Sequence, residues 1–145
     1  MASFMTPLPC ILLVDDDQTN NFLNQSLLTR LGVAEQLLVA LDGQQALSQL
    51  QQHCVPPTPA CPALILLDVN MPGMNGIQFL EAYQQLPLGQ QGAIVIVMLT
   101  TSLHPRDVDR VQQLNLVNGF INKPLTAAKI NSILSQHFGR TLPEA

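Results

Sequence analysis

Apolar residues along this chain fall into short unbroken runs that alternate with stretches of helical spacing. Cys10–Val14, Ala63–Leu67, Ala93–Leu99 and Gly119–Ile121 are too apolar and too β-branched for surface segments, and each predicts a buried strand. Gln36–Leu41 is a weaker strand, followed by Asp42-Gly43, a turn signal that can also open a helix. Between these runs the apolar positions recur at helical intervals. Asn20–Leu31 sets Phe22, Leu23, Leu27, Leu28 and Leu31 on one side and stops at Gly32. Gln44–Gln52, Ile77–Leu86, Asp107–Leu114 and Thr126–Phe138 repeat the helical pattern through residues such as Leu50, Leu80, Val111 and Ile133.

Strands alternating with helices predict an α/β domain: a doubly wound, five-stranded parallel sheet in the order 2-1-3-4-5, with helices on both faces. The proline-rich stretch His53–Pro62 is a loop before the third strand. Residues 1–9 read as an N-terminal extension, 10–138 as the domain, and 139–145 as a tail too short for an output domain.

Composition narrows the function classes. A chain of 145 residues that is 47% hydrophobic and 11% charged can close a core, and it lies far from the signature of disorder. No apolar run approaches the roughly 18 residues of a membrane span, and the start MASFMTPLP has no basic segment before a long apolar one. The expectation is a soluble, cytoplasmic protein. With net charge -4 and six basic residues spread along the chain, neither nucleic acid nor anionic lipid is an expected partner. Cys10, Cys54 and Cys61 are odd in number and lack CxxC spacing, which argues against a disulfide framework or a zinc site and for reduced thiols.

The placement of charge is more telling than its amount. Of ten acidic residues, Asp15, Asp16, Asp17 and Asp68 stand directly after the first and third predicted strands. Open α/β sheets bind ligands at the carboxyl ends of the strands where the strand order reverses, and those two strands are neighbours there. Carboxylates brought together repel one another, and a hard divalent cation relieves the repulsion. Mg2+ suits an incomplete cage of two or three carboxylates, whereas no DxDxDG loop for Ca2+ is present. Asp17, just before a helix, is also a good N-cap, and Asp68, before Asn70-Met71-Pro72-Gly73, is also a good turn residue. One of only two lysines, Lys123, follows the last predicted strand and precedes Pro124, an arrangement that can aim an ammonium into the same crevice. Thr100 ends the fourth strand with a hydroxyl at that edge; Thr101 and Ser102 are rival hydroxyls.

These segments resemble the receiver domains of two-component response regulators, of the chemotaxis-regulator type. ILLVDDD resembles the acidic motif of the first strand, LILLDVNMPGMNG the phosphoacceptor motif, VMLTT the switch-threonine strand and GFINKPL the lysine-proline motif. The four occur in order over about residues 10 to 138. The resemblance implies a flavodoxin-like fold in single-domain form. It implies that Asp68 accepts a phosphoryl group and that Mg2+ is held by Asp15, Asp16, Asp68 and the backbone carbonyl of Asn70. It further implies that Lys123 contacts the phosphoryl oxygens, and that Thr100 and Phe120 form the switch. The implied partners are a sensor histidine kinase or histidine phosphotransfer protein and a downstream protein, with the chain a monomer or weak homodimer. At most slow self-catalysed phosphorylation and dephosphorylation is implied.

Two other readings compete. An aspartyl phosphatase of the haloacid-dehalogenase type wants DxD, and Asp68-Val69-Asn70 lacks the second acid. A constitutive interaction domain has no physical reason to hold repelling carboxylates together.

Overall fold

The computed structural model describes residues 7–69, 71, 74–87, 94–100 and 105–140. Strands β1 (Leu8–Val14), β2 (Ala34–Ala40), β3 (Leu64–Asp68), β4 (Val95–Thr100) and β5 (Gly119–Asn122) alternate with helices. These are α1 (Gln18–Leu31), α2 (Gly43–Cys54), α3 (Gly76–Gln84), α4 (Pro105–Leu114) and α5 (Ala127–Phe138). The strands form one parallel sheet in the order β2-β1-β3-β4-β5, as the alternation of patterns predicts. Ala93, the predicted start of the fourth strand, lies outside the described residues.

Side chains one residue apart on a strand point to opposite faces, so a sheet covered on both sides needs apolar residues at every position. β3 meets that demand with four buried apolar residues in succession, Leu64–Leu67, before the buried Asp68 at its end. Leu12, Val14, Ile65, Leu67, Ile96 and Met98 pack on one face against Leu50 of α2, Phe79 and Tyr83 of α3 and Val111 of α4. Their strand neighbours Ile11, Leu13, Leu64, Leu66, Val97 and Leu99 pack on the other against Leu28 of α1 and Ile130, Ile133 and Leu134 of α5.

Short polar signals set the helix ends. Asp17 caps α1 by accepting from the backbone N–H groups of Thr19 and Asn20, and Gly32 closes it in the left-handed conformation. Asp42, the turn signal after β2, caps α2 through the Gln45 N–H. On α3 the Asn75 and Gln78 side chains form a reciprocal capping box.

Two expectations are corrected. Phe22 and Leu23 share the helical spacing of the buried leucines of α1 but are 67% and 56% exposed. Only Leu28 of that apolar set is fully buried, with Leu27 and Leu31 packed at the margin of the core. The cysteines are not all reduced: Cys54 and Cys61 form a disulfide, with Cα atoms 4.9 Å apart. An odd count excludes only a complete framework, and here the chain doubles back after α2. Thr58 N–H donates to the His53 carbonyl and Cys61 N–H to the Thr58 carbonyl, which brings Cys61 against the helix end. Cys10 is the free, buried thiol. Among the described residues no helix is long and apolar enough to cross a membrane.

Candidate functional site

Parallel pairing aligns the carboxyl ends of the strands, and the candidate residues gather at that rim because of it. Val14 pairs with Leu67, Asp68 with Leu99 and Thr100 with Asn122. Asp15 therefore emerges beside Asp68, and Lys123 emerges one strand beyond Thr100. Asp15, Asp68 and Thr100 are buried, whereas Asp16 is exposed.

Oxygen atoms of Asp15, Asp16 and Asp68 all lie within 4.8 Å of one another. The donor set is all carboxylate, two members buried and one open to solvent, and it fits a hard cation that keeps water on its exposed side. Asn70, implied as a further oxygen donor, lies outside the described residues, as do Thr101 and Ser102.

Lys123 enters the cluster from the end of β5. Its backbone N–H donates to the Thr100 carbonyl at 2.9 Å, and a cis bond joins it to Pro124. Its Nζ lies 3.2 Å from Asp15 Oδ2 and 3.2 Å from Asp68 Oδ1. Burial by itself would lower the lysine pKa, but the charges of Asp15 and Asp68, with their hydrogen bonds, outweigh it and hold the pKa above the ordinary value. The ammonium is thus a fixed positive charge between two carboxylates from different strands.

Three supporting residues escaped the sequence reading. Asn21, buried on α1, donates from Nδ2 to the Asp15 backbone carbonyl at 2.8 Å and so ties the end of β1 to the helix. Lys129 donates from Nζ to the carbonyls of Asn122 and Pro124, which braces the segment carrying Lys123. Gly76 opens α3 against the end of β3, and a Cβ there would lie 2.5 Å from the Asp68 carbonyl oxygen. Only the glycine had a visible signal, as the last residue of LILLDVNMPGMNG.

Asp17 stands apart from the cluster. Its carboxylate is spent on the α1 cap, and its N–H donates to Asp15 Oδ1 at 2.9 Å. Phe120 projects from β5 and is 45% exposed.

The chain matches the response regulator receiver domain family over residues 11–135. It is 34% identical to a probable chemotaxis protein CheY of Rhizobium etli over 131 residues, covering 89% of this chain and 92% of that one. It is 33% identical to the response regulator Rcp1 of Synechocystis over 123 residues, covering 85% and 82%. A two-component response regulator from Cytophaga hutchinsonii superposes with a TM-score of 0.79 at 27% identity, over 90% of this chain and 97% of that one. The sheet order, the acidic rim with its lysine and these matches agree: the chain belongs to the receiver domains of two-component response regulators.

Proposed function

We propose that Asp68 accepts a phosphoryl group from a phosphohistidine on a sensor histidine kinase or histidine phosphotransfer protein, within a cytoplasmic phosphorelay. The observation that carries this reading is the Lys123 ammonium, set 3.2 Å from Asp68 at the carboxyl rim of the sheet. In the transfer an Asp68 carboxylate oxygen bonds to phosphorus as the bond from phosphorus to the donor's imidazole nitrogen breaks. The chain needs to supply little else, since phosphoryl transfer is mostly positioning and stabilisation of charge on the equatorial oxygens.

Asp15, Asp16 and Asp68, with the Asn70 carbonyl, would hold Mg2+. When bound, Mg2+ offsets the repulsion among the carboxylates and draws charge from the phosphoryl oxygens. Lys123 supplies a second positive charge, and the strand-end hydroxyl of Thr100 donates a hydrogen bond to the phosphoryl group. Movement of Thr100 toward the phosphate frees space behind it, and Phe120 repacks. The surface around Phe120 then changes its affinity for a downstream protein. Phe120 has no hydroxyl, so packing alone reports the switch.

The test is spectroscopic. Beryllofluoride with Mg2+, or acetyl phosphate with Mg2+, should shift backbone NMR signals around Thr100 and Phe120 in the wild type and leave Asp68→Asn unchanged. An Asp68→Asn protein that responds as the wild type does removes Asp68 from the role.

A further inference from the structure

We propose that Cys54 and Cys61 form a reversible dithiol–disulfide site that exchanges with low-molecular-weight disulfides of the glutathione class. The site lies outside the phosphoacceptor cluster, at the far end of α2, and it is independent of the function assigned to Asp68.

Hydrogen bonds of the chain, besides the bond between the sulfurs, hold the two cysteines near each other. Thr58 donates to the His53 carbonyl from both its N–H and its hydroxyl, at 2.8 and 3.0 Å, and Cys61 N–H donates to the Thr58 carbonyl at 2.9 Å. These bonds fold residues 55–60 back on the helix end. The cysteine Cα atoms are then 4.9 Å apart, inside the range that a disulfide spans. A dithiol form keeps the same hydrogen bonds, so closure and opening both start from a preorganised loop.

The bond also holds little of the fold. It joins residues only seven apart, Cys54 at the end of α2 and Cys61 in the loop before β3, and both lie at one edge of a single hydrophobic core, so the bond links no two distant parts of the chain. Sheet order and strand register come from pairs that do not involve this loop. The reduced chain therefore keeps its architecture, as a reversible site requires.

Burial makes the pair asymmetric. Cys54 is buried in the core beneath α2 and α3, whereas Cys61 is half-buried at its margin. In oxidation the Cys61 thiolate attacks one sulfur of glutathione disulfide and releases one glutathione thiolate, which takes up a proton. The Cys54 thiolate then displaces the second glutathione and closes the bond. Two electrons pass from the cysteine pair to the glutathione, and reduction runs the same steps backward with Cys61 attacked first. The loop also shapes a surface cavity of about 400 Å³ lined by Gln51, Val55, Leu86 and Pro87. Val55, directly after Cys54, is exposed there, so opening the bond alters the surface at this end of the molecule.

The experiment equilibrates the full chain in glutathione buffers from strongly reducing to strongly oxidising, approached from both directions. Acid quenching, denaturation and alkylation then allow thiols to be counted by mass. Cys10, buried in β1, is the internal reference. The expected result is three alkylated cysteines at the reducing end and one at the oxidising end, with the same midpoint from either direction. Amide exchange at Thr58 and Cys61 should quicken on reduction, and the reduced protein should melt cooperatively about 5–10 °C lower. Cys54→Ser should take up glutathione as a mixed disulfide at least about tenfold faster than Cys61→Ser, since thiol accessibility sets the rate. Three thiols at every ratio would mean the bond does not form, and one thiol even in excess reduced glutathione would make it a fixed staple. Either result overturns the proposal, as does faster uptake by Cys61→Ser for the order of attack.

Discussion

The Lys123 ammonium lies 3.2 Å from Asp68 Oδ1, so the residue that follows β5 partly neutralises the residue that ends β3. The same ammonium lies 3.2 Å from Asp15, and Asp16 completes a group with three carboxylates to one lysine. That imbalance has a sign, and stability measurements read it. Lys123→Met leaves Asp15 and Asp68 facing each other with no cation. Breaking a buried pair costs about 3–5 kcal/mol, which the partial exposure of Lys123 reduces to about 1–3 kcal/mol. Asp68→Asn removes one charge from the acidic excess and should be neutral or stabilising by up to about 1 kcal/mol. Urea unfolding of both variants without divalent ions checks the pair of signs; equal destabilisation would contradict this electrostatic balance.

A cation should act on the same imbalance from the other side. In MgCl2 the wild type should melt higher, because a ligand bound only by the folded state adds about 2.7 kcal/mol at a hundredfold excess over Kd. Asp16→Asn should lose most of that gain while melting at or slightly above the wild type in chelator, since Asp16 is exposed and its loss relieves the acidic excess. Melting curves across a Mg2+ titration measure both. An Asp16→Asn gain equal to the wild-type gain would remove Asp16 from the metal site.

How much of this was legible depends on what each residue type can signal. β3 was plain because burial on both faces forces an unbroken run such as Leu64–Leu67, and the acids were plain because four of ten gather directly after two strands that the topology makes neighbours. Asn21 was invisible: an asparagine on a helix carries no mark that its amide will hold the Asp15 carbonyl. Phe22 and Leu23 misled because periodicity counts apolar residues, while burial depends on how wide a strip of the helix the sheet covers. Cys54 and Cys61 misled because their proximity comes from the reversal of the chain around Thr58, which cysteine spacing does not encode.

Gly76 and Gly32 should respond differently to the same substitution. At Gly76 an added Cβ meets the Asp68 carbonyl oxygen at 2.5 Å and the Val69 Cα at 3.1 Å, both backbone atoms that cannot rotate away. Gly76→Ala should therefore cost about 2–3 kcal/mol by overpacking and shift the beryllofluoride response, because Asp68 itself is displaced. At Gly32 an added Cβ meets nothing within 4 Å, and only the left-handed φ of 65° opposes it. Gly32→Ala should cost about 1 kcal/mol and leave the response intact. Paired denaturation and NMR titrations separate the two effects; an unaltered response in Gly76→Ala would show that α3 can yield without moving the site.

Alkaline pH should expose the cost of the buried thiol in β1. Burial pushes Cys10 from an ordinary pKa of 9.0 up to about 11. In that interval the folded state keeps a proton that the unfolded chain has lost, so stability falls as pH rises. The contribution is complete below about pH 9 and is lost by about pH 11, a drop of about 2–3 kcal/mol at 1.36 kcal/mol per pH unit. Tyr83, raised by burial, and Lys123, raised by its two carboxylates against the opposing effect of burial, fall in the same direction and steepen the loss above their ordinary values of 10.0 and 10.5. Cys10→Ala should be less stable at pH 7 by about 1 kcal/mol, from lost packing at a fully buried position. Its stability should nevertheless be flatter between pH 9 and 10, where the thiol contribution dominates the wild-type loss and the other two groups, with ordinary values of 10.0 and 10.5, contribute less. Urea midpoints of both proteins at half-unit steps of pH, with the Cys54–Cys61 bond kept oxidised, measure the slopes, and parallel slopes would mean that Cys10 titrates as an exposed thiol does.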